Sequence, residues 1–337
     1  MRKPPTVSVV IITHNMADLV EKAIDSVLAQ TYTDSELIVV DDGSTDDTRE
    51  RLSARSELRY LPIENSGRGP ARNHGIRASQ GRWVAFLDSD DVWYPEKLEM
   101  QMRVALDPRF KGAGLICADY DEIDMEGRFL KAVGTRGGFP IFTKCGFDVP
   151  DVYGRRERID GLDVYSELKL PVFFHGNCVL PSTSLARKKM IDELGEFKNV
   201  LGEDPEVFLR WATGYDFVYI DKPLIGYRVG RPDQHTAPYK LEKLVAYDIE
   251  MRHEHIEQHP DFAAAHPEAV KQVFSEQHAR MALFQAYRGD VRTARESLRT
   301  AKTHAPLKAK YKKLDLLLKL QSFLVSALIK LRRGFTS

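Results

Sequence analysis

Val7–Thr13 is a continuous β-branched run, the pattern of a strand buried on both faces of a parallel sheet. Asp18–Gln30 follows, with Leu19, Val20, Ala23, Ile24, Val27 and Leu28 recurring at about 3.6 residues, as an amphipathic helix requires. The alternation continues through Glu36–Val40 (strand), Asp46–Ala54 (helix), Leu58–Leu61 (strand) and Pro70–Ser79 (helix). Arg82–Leu87 (strand), Glu96–Ala105 (helix) and Gly114–Ala118 (strand) complete it. Strands and helices in strict succession with short connections predict an open α/β sheet with right-handed crossovers.

The rhythm breaks near Asp121. Gly127–Val133 reads as a further strand, and Gly134–Asp163 is Gly-, Pro- and Arg-rich with no clear period. Leu170–Ser184 is apolar and reads as extended. Helices are expected around Ala186–Leu194 and Asp204–Ala212, and closing strands at Tyr215–Asp221 and Leu224–Val229. Beyond Tyr239 the pattern is almost purely helical, and Ala282–Pro306 has the small-residue spacing of a helical hairpin. The expected domains are therefore 1–238, α/β, and 239–337, helical.

Composition narrows the classes. Hydrophobic content of 43% supports a buried core. Lys and Arg together number 49, as do Asp and Glu, so overall charge points to no nucleic-acid partner. Cys117, Cys145 and Cys178 are odd in number and form no CxxC pair, which argues against a disulfide framework or a zinc site. The N-terminus shows no secretory signal, and no apolar run reaches the roughly eighteen residues a membrane span needs. The expectation is a cytoplasmic protein, peripheral at most on the inner face of a membrane.

In open α/β sheets ligands bind beyond the carboxyl ends of the strands. Here those ends carry Thr13-His14-Asn15, Asp41-Asp42-Gly43-Ser44-Thr45-Asp46 and Asp88-Ser89-Asp90-Asp91. Two acidic clusters at neighbouring strand ends repel each other unless a cation compensates them, and carboxylate oxygens suit Mg²⁺ or Mn²⁺. Taken singly, each cluster has a plainer reading: Ser44 or Asp46 as a helix N-cap, and Asp88-x-Asp90 as a solvated loop. Their joint placement favours a nucleotide with a divalent ion. Thr13–Asp18 holds no glycine, which excludes a dinucleotide-binding Gly-x-Gly-x-x-Gly turn, and no Gly-x-x-x-x-Gly-Lys-Ser/Thr occurs.

Ser8–Asn15, Val39–Asp46, Gly69–Gly75 (GPARNHG) and Phe86–Asp91 (FLDSDD) resemble, in order, the motifs of family-2 inverting glycosyltransferases, over roughly Val7–Arg228. That resemblance implies a GT-A fold, a Rossmann-like open sheet that binds a nucleotide-sugar, here followed by a C-terminal helical extension. It implies transfer from a nucleotide-diphosphate sugar, expected to be UDP-linked, to a hydroxyl of a glycan or lipid-linked acceptor, as in cell-envelope polysaccharide biosynthesis. Asp42 would then bond the base, with Thr13 and Asn15 near the nucleoside and Arg72 flanking the base. Asp88 would contact ribose or metal, Asp90 would ligate Mn²⁺ or Mg²⁺, and Asp41 would be a structural turn residue. Read without the resemblance, Arg72 is an ordinary surface arginine opening a helix.

The family places its base in a Glu-Asp pair opening a helix of the acceptor half, which here matches Glu203-Asp204. Asp204 is the expected base and Glu203 its support; the competing reading makes Asp204 a helix N-cap ahead of Pro205. His235 follows Tyr227-Arg228 and is either a third metal ligand or a solvated loop residue. Arg228 and Arg231 are weaker candidates for diphosphate contacts. Arg210-Trp211 matches half of a processive synthase motif, but Val207 stands where that motif has Gln. Lys313–Leu331 carries a wide apolar face flanked by Lys308, Lys310, Lys312, Lys313, Arg332 and Arg333. Such a face either packs into a bundle or homodimer or rests on an anionic membrane.

Overall fold

The computed structural model describes residues 4–133, 152–176, 179–231 and 241–319. The chain separates into two compact units, divided between Gln234 and His235.

The first unit is built on one mixed sheet in the order β3-β2-β1-β4-β10-β6-β11-β9-β8. Its parallel part comprises β1 (Val7–Thr13), β2 (Ser35–Asp42), β3 (Arg59–Ile63) and β4 (Trp83–Asp88). Every residue of β1 is buried, which is why that strand needs no polar alternation. Register fixes the functional edge. Thr13 lies beside Asp41, and Ile12 beside Asp88, so the polar ends of β1, β2 and β4 finish level with one another.

Four helices connect and cover these strands: α1 (Ala17–Leu28), α2 (Thr48–Ser53), α3 (Arg68–Ala78) and α4 (Lys97–Leu106). In α1 the buried face is Ala17, Val20, Ala23, Ile24 and Val27, most of the apolar stripe expected from the spacing. A Cβ at Gly75 of α3 would collide with Val10 of β1. Glycine there lets the helix lie directly on the sheet and sets the depth of Arg72.

The second half of the sheet differs from the expectation. β6 (Ala113–Ile123) runs on five residues past Ala118 and pairs with β7 (Phe129–Ala132), while the two-residue β5 (Val92–Trp93) pairs with β11. The region read as aperiodic contains β8 (Tyr153–Ile159) and the start of β9 (Leu162–Leu168), joined by Asp160 and Gly161, both at positive φ. The described residues of Leu170–Ser184 form no strand; they contain a helical turn at Leu170–Phe173 and a 3-10 turn at Pro181–Thr183. The helix expected from Ala186 begins at Lys188 as α5 (Lys188–Leu194), because Leu185–Arg187 is β10, antiparallel between β4 and β6. The helix α6 spans Glu203–Ala212. The two closing strands are one, β11 (Asp216–Arg228), with a register shift at Asp216–Phe217 and two more at Ile220–Ile225 around Pro223, which has no amide to donate.

The second unit contains α7 (Leu241–Gln258), α8 (Pro260–Ala265), α9 (Pro267–Tyr287) and α10 (Val291–His304), with further helix at 309–319. The expected hairpin is α9–α10. Gly289 turns it at positive φ, and Asp290 caps α10 by accepting from the Thr293 amide at 3.1 Å. Its core joins Ala279, Ala282, Ala294, Leu298 and Ala301 to Leu307, Tyr311 and Leu318. Small residues let the two helices approach, and the face carrying Tyr311, Leu314 and Leu318 packs on them. Among the described residues no helix is long and apolar enough to cross a membrane.

Candidate active site

At the ends of β1 and β2 the side chains lock two loops together. Asn15, at φ 54°, accepts at Oδ1 from the Thr45 amide at 2.7 Å and the Asp46 amide at 3.3 Å. Its own amide donates to Ser44 Oγ at 2.9 Å. Asp41 accepts from the Ser44 amide at 2.9 Å and from the Tyr60 hydroxyl at 2.5 Å, the turn-forming role expected of it. Asp42 is buried. Its Oδ1 accepts from the Ser66 amide at 2.7 Å and its Oδ2 from the Gly67 amide at 3.0 Å, so it anchors the loop that starts α3. Thr13 is buried beside these groups, and its hydroxyl has no hydrogen-bond partner. A buried polar atom left unpaired is costly, and a strand-end hydroxyl of this kind suits a polar ligand.

The Asp88–Asp91 loop is held from both sides. The buried Asp91 carboxylate accepts from Ser182 Oγ at 2.6 Å and from the Arg228 amide at 3.0 Å, while Ser182 Oγ accepts from the Asp88 amide at 3.1 Å. Arg228 spends its guanidinium on backbone, donating to the carbonyls of Asp90, Asp124 and Met125. It therefore braces the loop, where the sequence suggested a diphosphate contact. Arg231 pairs with Asp90 Oδ2 at 3.1 Å. Burial, followed by the neighbouring Asp88, raises the Asp90 carboxyl against the pull of Arg231. Burial and then Asp90 and Asp88 raise Asp91 well above the usual carboxylate range. Three carboxylates in four residues leave this loop short of positive charge.

Arg72 sits where the two halves of the unit meet. It is 1% exposed, and it donates to Asp88 Oδ1 at 2.6 Å, Glu203 Oε1 at 2.8 Å and Asp204 Oδ1 at 3.1 Å. The ring of Phe197 lies 5.3 Å from its guanidinium carbon. This corrects the expectation for Arg72: its planar fork is buried among carboxylates, where it ties β4 to α6, and is not presented to a base. Glu203 is 2% exposed, and its second oxygen accepts from Arg68 at 2.8 Å. Burial pushes the Glu203 carboxyl up, but Arg68 and Arg72 outweigh it and hold it below the usual range. Asp204 moves the other way. Burial first, then the adjacent Glu203, push it up to about 7 despite Arg72 and Arg68. Two adjacent carboxyls are thus separated in role by their surroundings. The cap reading of Asp204 also fails: Gly202, in the left-handed region, precedes the helix, and no side chain caps it.

The remaining sequence candidates divide plainly. Arg210 pairs with Glu206 and donates to backbone carbonyls of Leu194, Gly195 and Glu196, and Trp211 is buried, so that pair is structural. His235 lies outside the described residues. Among the described residues no group of three or more His, Cys, Asp or Glu side chains is gathered as a metal cage. The donor set at Asp88 and Asp90 nevertheless fits a hard cation. Mg²⁺ and its like are commonly held by one or two carboxylates plus the phosphates of a substrate, and this loop gathers three carboxylates within four residues.

Residues 8–156 match the sequence model of glycosyl transferase family 2. The match covers somewhat under half of the chain, its N-terminal segment. An uncharacterized glycosyltransferase of Rickettsia felis is 36% identical over 156 residues, 44% of this chain and 25% of that protein. The succinoglycan biosynthesis protein ExoO of Rhizobium meliloti is 39% identical over 132 residues, 38% of this chain and 37% of that one. Among such curated relatives the chain spans from 22% to 51% of the partner's length. In three dimensions, residues 1–349 of S. aureus TarS, solved with UDP-GlcNAc, align at TM-score 0.53 and 15% identity, covering 90% of this chain and 93% of that one. The shared architecture is the GT-A fold. The family segment contains Asp42, Arg72, Asp88 and Asp90 but ends before Glu203 and Asp204, whose case is geometric.

Arg68 and Asp91 carried no assigned role in the sequence. Ser182 and Asp91 are 91 positions apart, and Arg68 and Glu203 are 135 apart, so no local pattern announces either pair.

Proposed function

We propose that this protein is an inverting glycosyltransferase that moves a sugar from a nucleotide-diphosphate donor to an acceptor hydroxyl. The observation that carries the reading is Arg72 bonded at once to Asp88, on the nucleotide-facing strand end, and to Asp204, on the helix that starts the acceptor half. Thr13, Asn15 and Asp42 line the strand ends where a nucleoside would bind. Asp88 and Asp90 are the residues that would hold Mg²⁺ or Mn²⁺, which when bound neutralises charge on a leaving diphosphate. Asp204 is the base: 18% exposed, it is accessible at the cleft, and a carboxyl near pH 7 is matched to taking a hydroxyl proton. In the displacement the acceptor oxygen bonds to the anomeric carbon, the carbon–oxygen bond to diphosphate breaks, and the acceptor's proton passes to Asp204. Attack opposite the leaving group inverts the anomeric centre. A glycan or lipid-linked acceptor fits the relatives named for polysaccharide synthesis, and UDP-sugars are the donors to test first.

The test is a panel of UDP- and GDP-linked sugars, each with and without Mn²⁺, read by thermal shift and by nucleoside diphosphate release. The proposal expects one donor class both to stabilise the protein and to be turned over. Stabilisation by none, with no release, would remove it.

A second proposal concerns the C-terminal unit. The helix at 309–319 buries Tyr311 and Leu318, yet Leu316 and Leu317 are 58% and 63% exposed beside the exposed Lys312 and Lys313. An apolar strip with a basic border suits an anionic membrane surface.

A further inference from the structure

Arg68 belongs to no motif that announces it, yet it touches a deeply buried acid of the site, Glu203. It is the first residue of α3, one turn before Arg72, and its guanidinium is 31% exposed. Its Nη2 donates to Glu203 Oε2 at 2.8 Å, while Arg72 Nη1 donates to the other oxygen, Oε1, at 2.8 Å. Glu203 is thereby held by two cations, one on each oxygen. Arg72 in turn serves three carboxylates: Asp88, Glu203 and Asp204. Asp204 has the weakest share, a single contact at 3.1 Å.

The charges around Asp204 are few and identifiable. Glu203 precedes it on α6, Arg68 and Arg72 face it from α3, and Asp88 faces it from the end of β4. Two cations thus oppose three carboxylates counting Asp204 itself among Glu203, Asp204 and Asp88. Loss of one cation leaves Arg72 alone against all three. Glu203, 2% exposed, cannot recruit water in place of Arg68 and would draw harder on Arg72. The group left with less compensation is Asp204.

We propose that Arg68 is a positioning residue that satisfies Glu203 so that Arg72 remains available to Asp204, and that Arg68 thereby sets the pH range over which Asp204 is ionised. The inference rests on the assignment of Asp204 as base, but its central claim is a property of the folded protein and is measurable without turnover. Arg68 donates to Glu203 and not to Asp204, so its effect on Asp204 passes through the shared field and through Arg72. Lysine keeps the charge and loses the fork. Glutamine keeps a donor and loses the charge.

The experiment compares wild type, Arg68→Gln and Arg68→Lys by carbon-detected NMR of proteins labelled at aspartate Cγ, with Asp204→Asn to identify the resonance. In wild type Asp204 titrates near neutrality. In Arg68→Gln its midpoint rises, and in Arg68→Lys it returns most of the way to wild type. Amide spectra establish that each variant is folded. An Asp204 midpoint in folded Arg68→Gln equal to wild type overturns the proposal, as does a lysine variant shifted as far as glutamine. Where the donor panel finds a substrate, the same shift appears in the rate. A rise of about one pH unit lowers the ionised fraction at pH 7 roughly fivefold, and with it kcat, while at pH 9 the variants converge. A wild-type protein inert to every donor but with Arg68-dependent titration of Asp204 would count against the functional reading and leave this inference standing.

Discussion

Replacing Arg72 with glutamine removes the cation that bonds Asp88 together with the α6 carboxylates Glu203 and Asp204. The side chain is 1% exposed and faces carboxylates that are 25% (Asp88), 2% (Glu203) and 18% (Asp204) exposed. Breaking a buried ion pair by deleting one partner costs about 3–5 kcal/mol, because the other charge stays buried without compensation. Water reaches Asp88 and Asp204 in part, and Glu203 keeps Arg68, which places the cost at the lower end, near 3 kcal/mol. At about 2–4 °C per kcal/mol for a unit of this size, the melting temperature falls by roughly 6–12 °C. The pH dependence follows from Glu203. Its carboxyl is held below the usual range by Arg68 and Arg72, against its burial, so its contribution is present above the unfolded value and lost as pH falls through the folded one. Glutamine at position 72 forfeits part of that contribution, so the gap to wild type is full from neutral pH down to the ordinary glutamate value of 4.5 and narrows only below it. Differential scanning calorimetry across the acidic range below that value and up to neutral pH measures it. A variant melting within about 2 °C of wild type at neutral pH, or one whose deficit grows on acidification, would refute the ion-pair account.

Two further outcomes follow from the same geometry. Asp90→Asn retains shape but removes a charge from the loop, so Mn²⁺-dependent strengthening of nucleotide binding, read by calorimetric titration with UDP, should disappear while the fold persists; an unchanged Mn²⁺ effect contradicts the ligand assignment. Paired Leu316→Asp and Leu317→Asp should abolish co-sedimentation with phosphatidylserine vesicles and leave donor turnover intact. A wild-type protein that ignores those vesicles and sediments as a stable dimer would mean that the strip is covered by a second copy.

The parallel core of the fold was legible because β1 and β4 are nearly pure apolar runs and β2 has an apolar centre, Leu37–Val40, between helices. β10 was not, since its three residues, Leu185–Arg187, two of them buried, merge into the pattern of the helix that follows. The β8–β9 hairpin carried a usable signal in Asp160-Gly161, a two-residue turn at positive φ, which the arginine-rich flanks obscured. In the site, Asp42, Asp88 and Asp90 stood out by their place at strand ends, while Glu203 and Asp204 were marked only by the family resemblance. The task of Arg72 did not. A helix-opening arginine looks alike whether it faces solvent, a base or three carboxylates, and its acidic partners on α6 lie 131 and 132 positions away. Asp204 as cap or as base was equally undecidable from Glu203-Asp204-Pro205 until Gly202 was found preceding the helix without any capping side chain.

The central claim is that Asp204 takes the acceptor's proton, and Asp204→Asn tests it most directly. The substitution preserves size and one contact to Arg72 but removes the group that accepts the proton. Transfer from the donor identified by the panel should fall by about 10²–10⁴, the usual cost of a lost general base. The wild-type rate should climb with pH through about 7 as the carboxyl ionises, and that limb should vanish from the variant. Donor affinity should stay near wild type, since the residues assigned to the nucleotide are untouched. An asparagine variant that transfers sugar within a few-fold of the wild-type rate, with the same rise through neutral pH, would contradict the account.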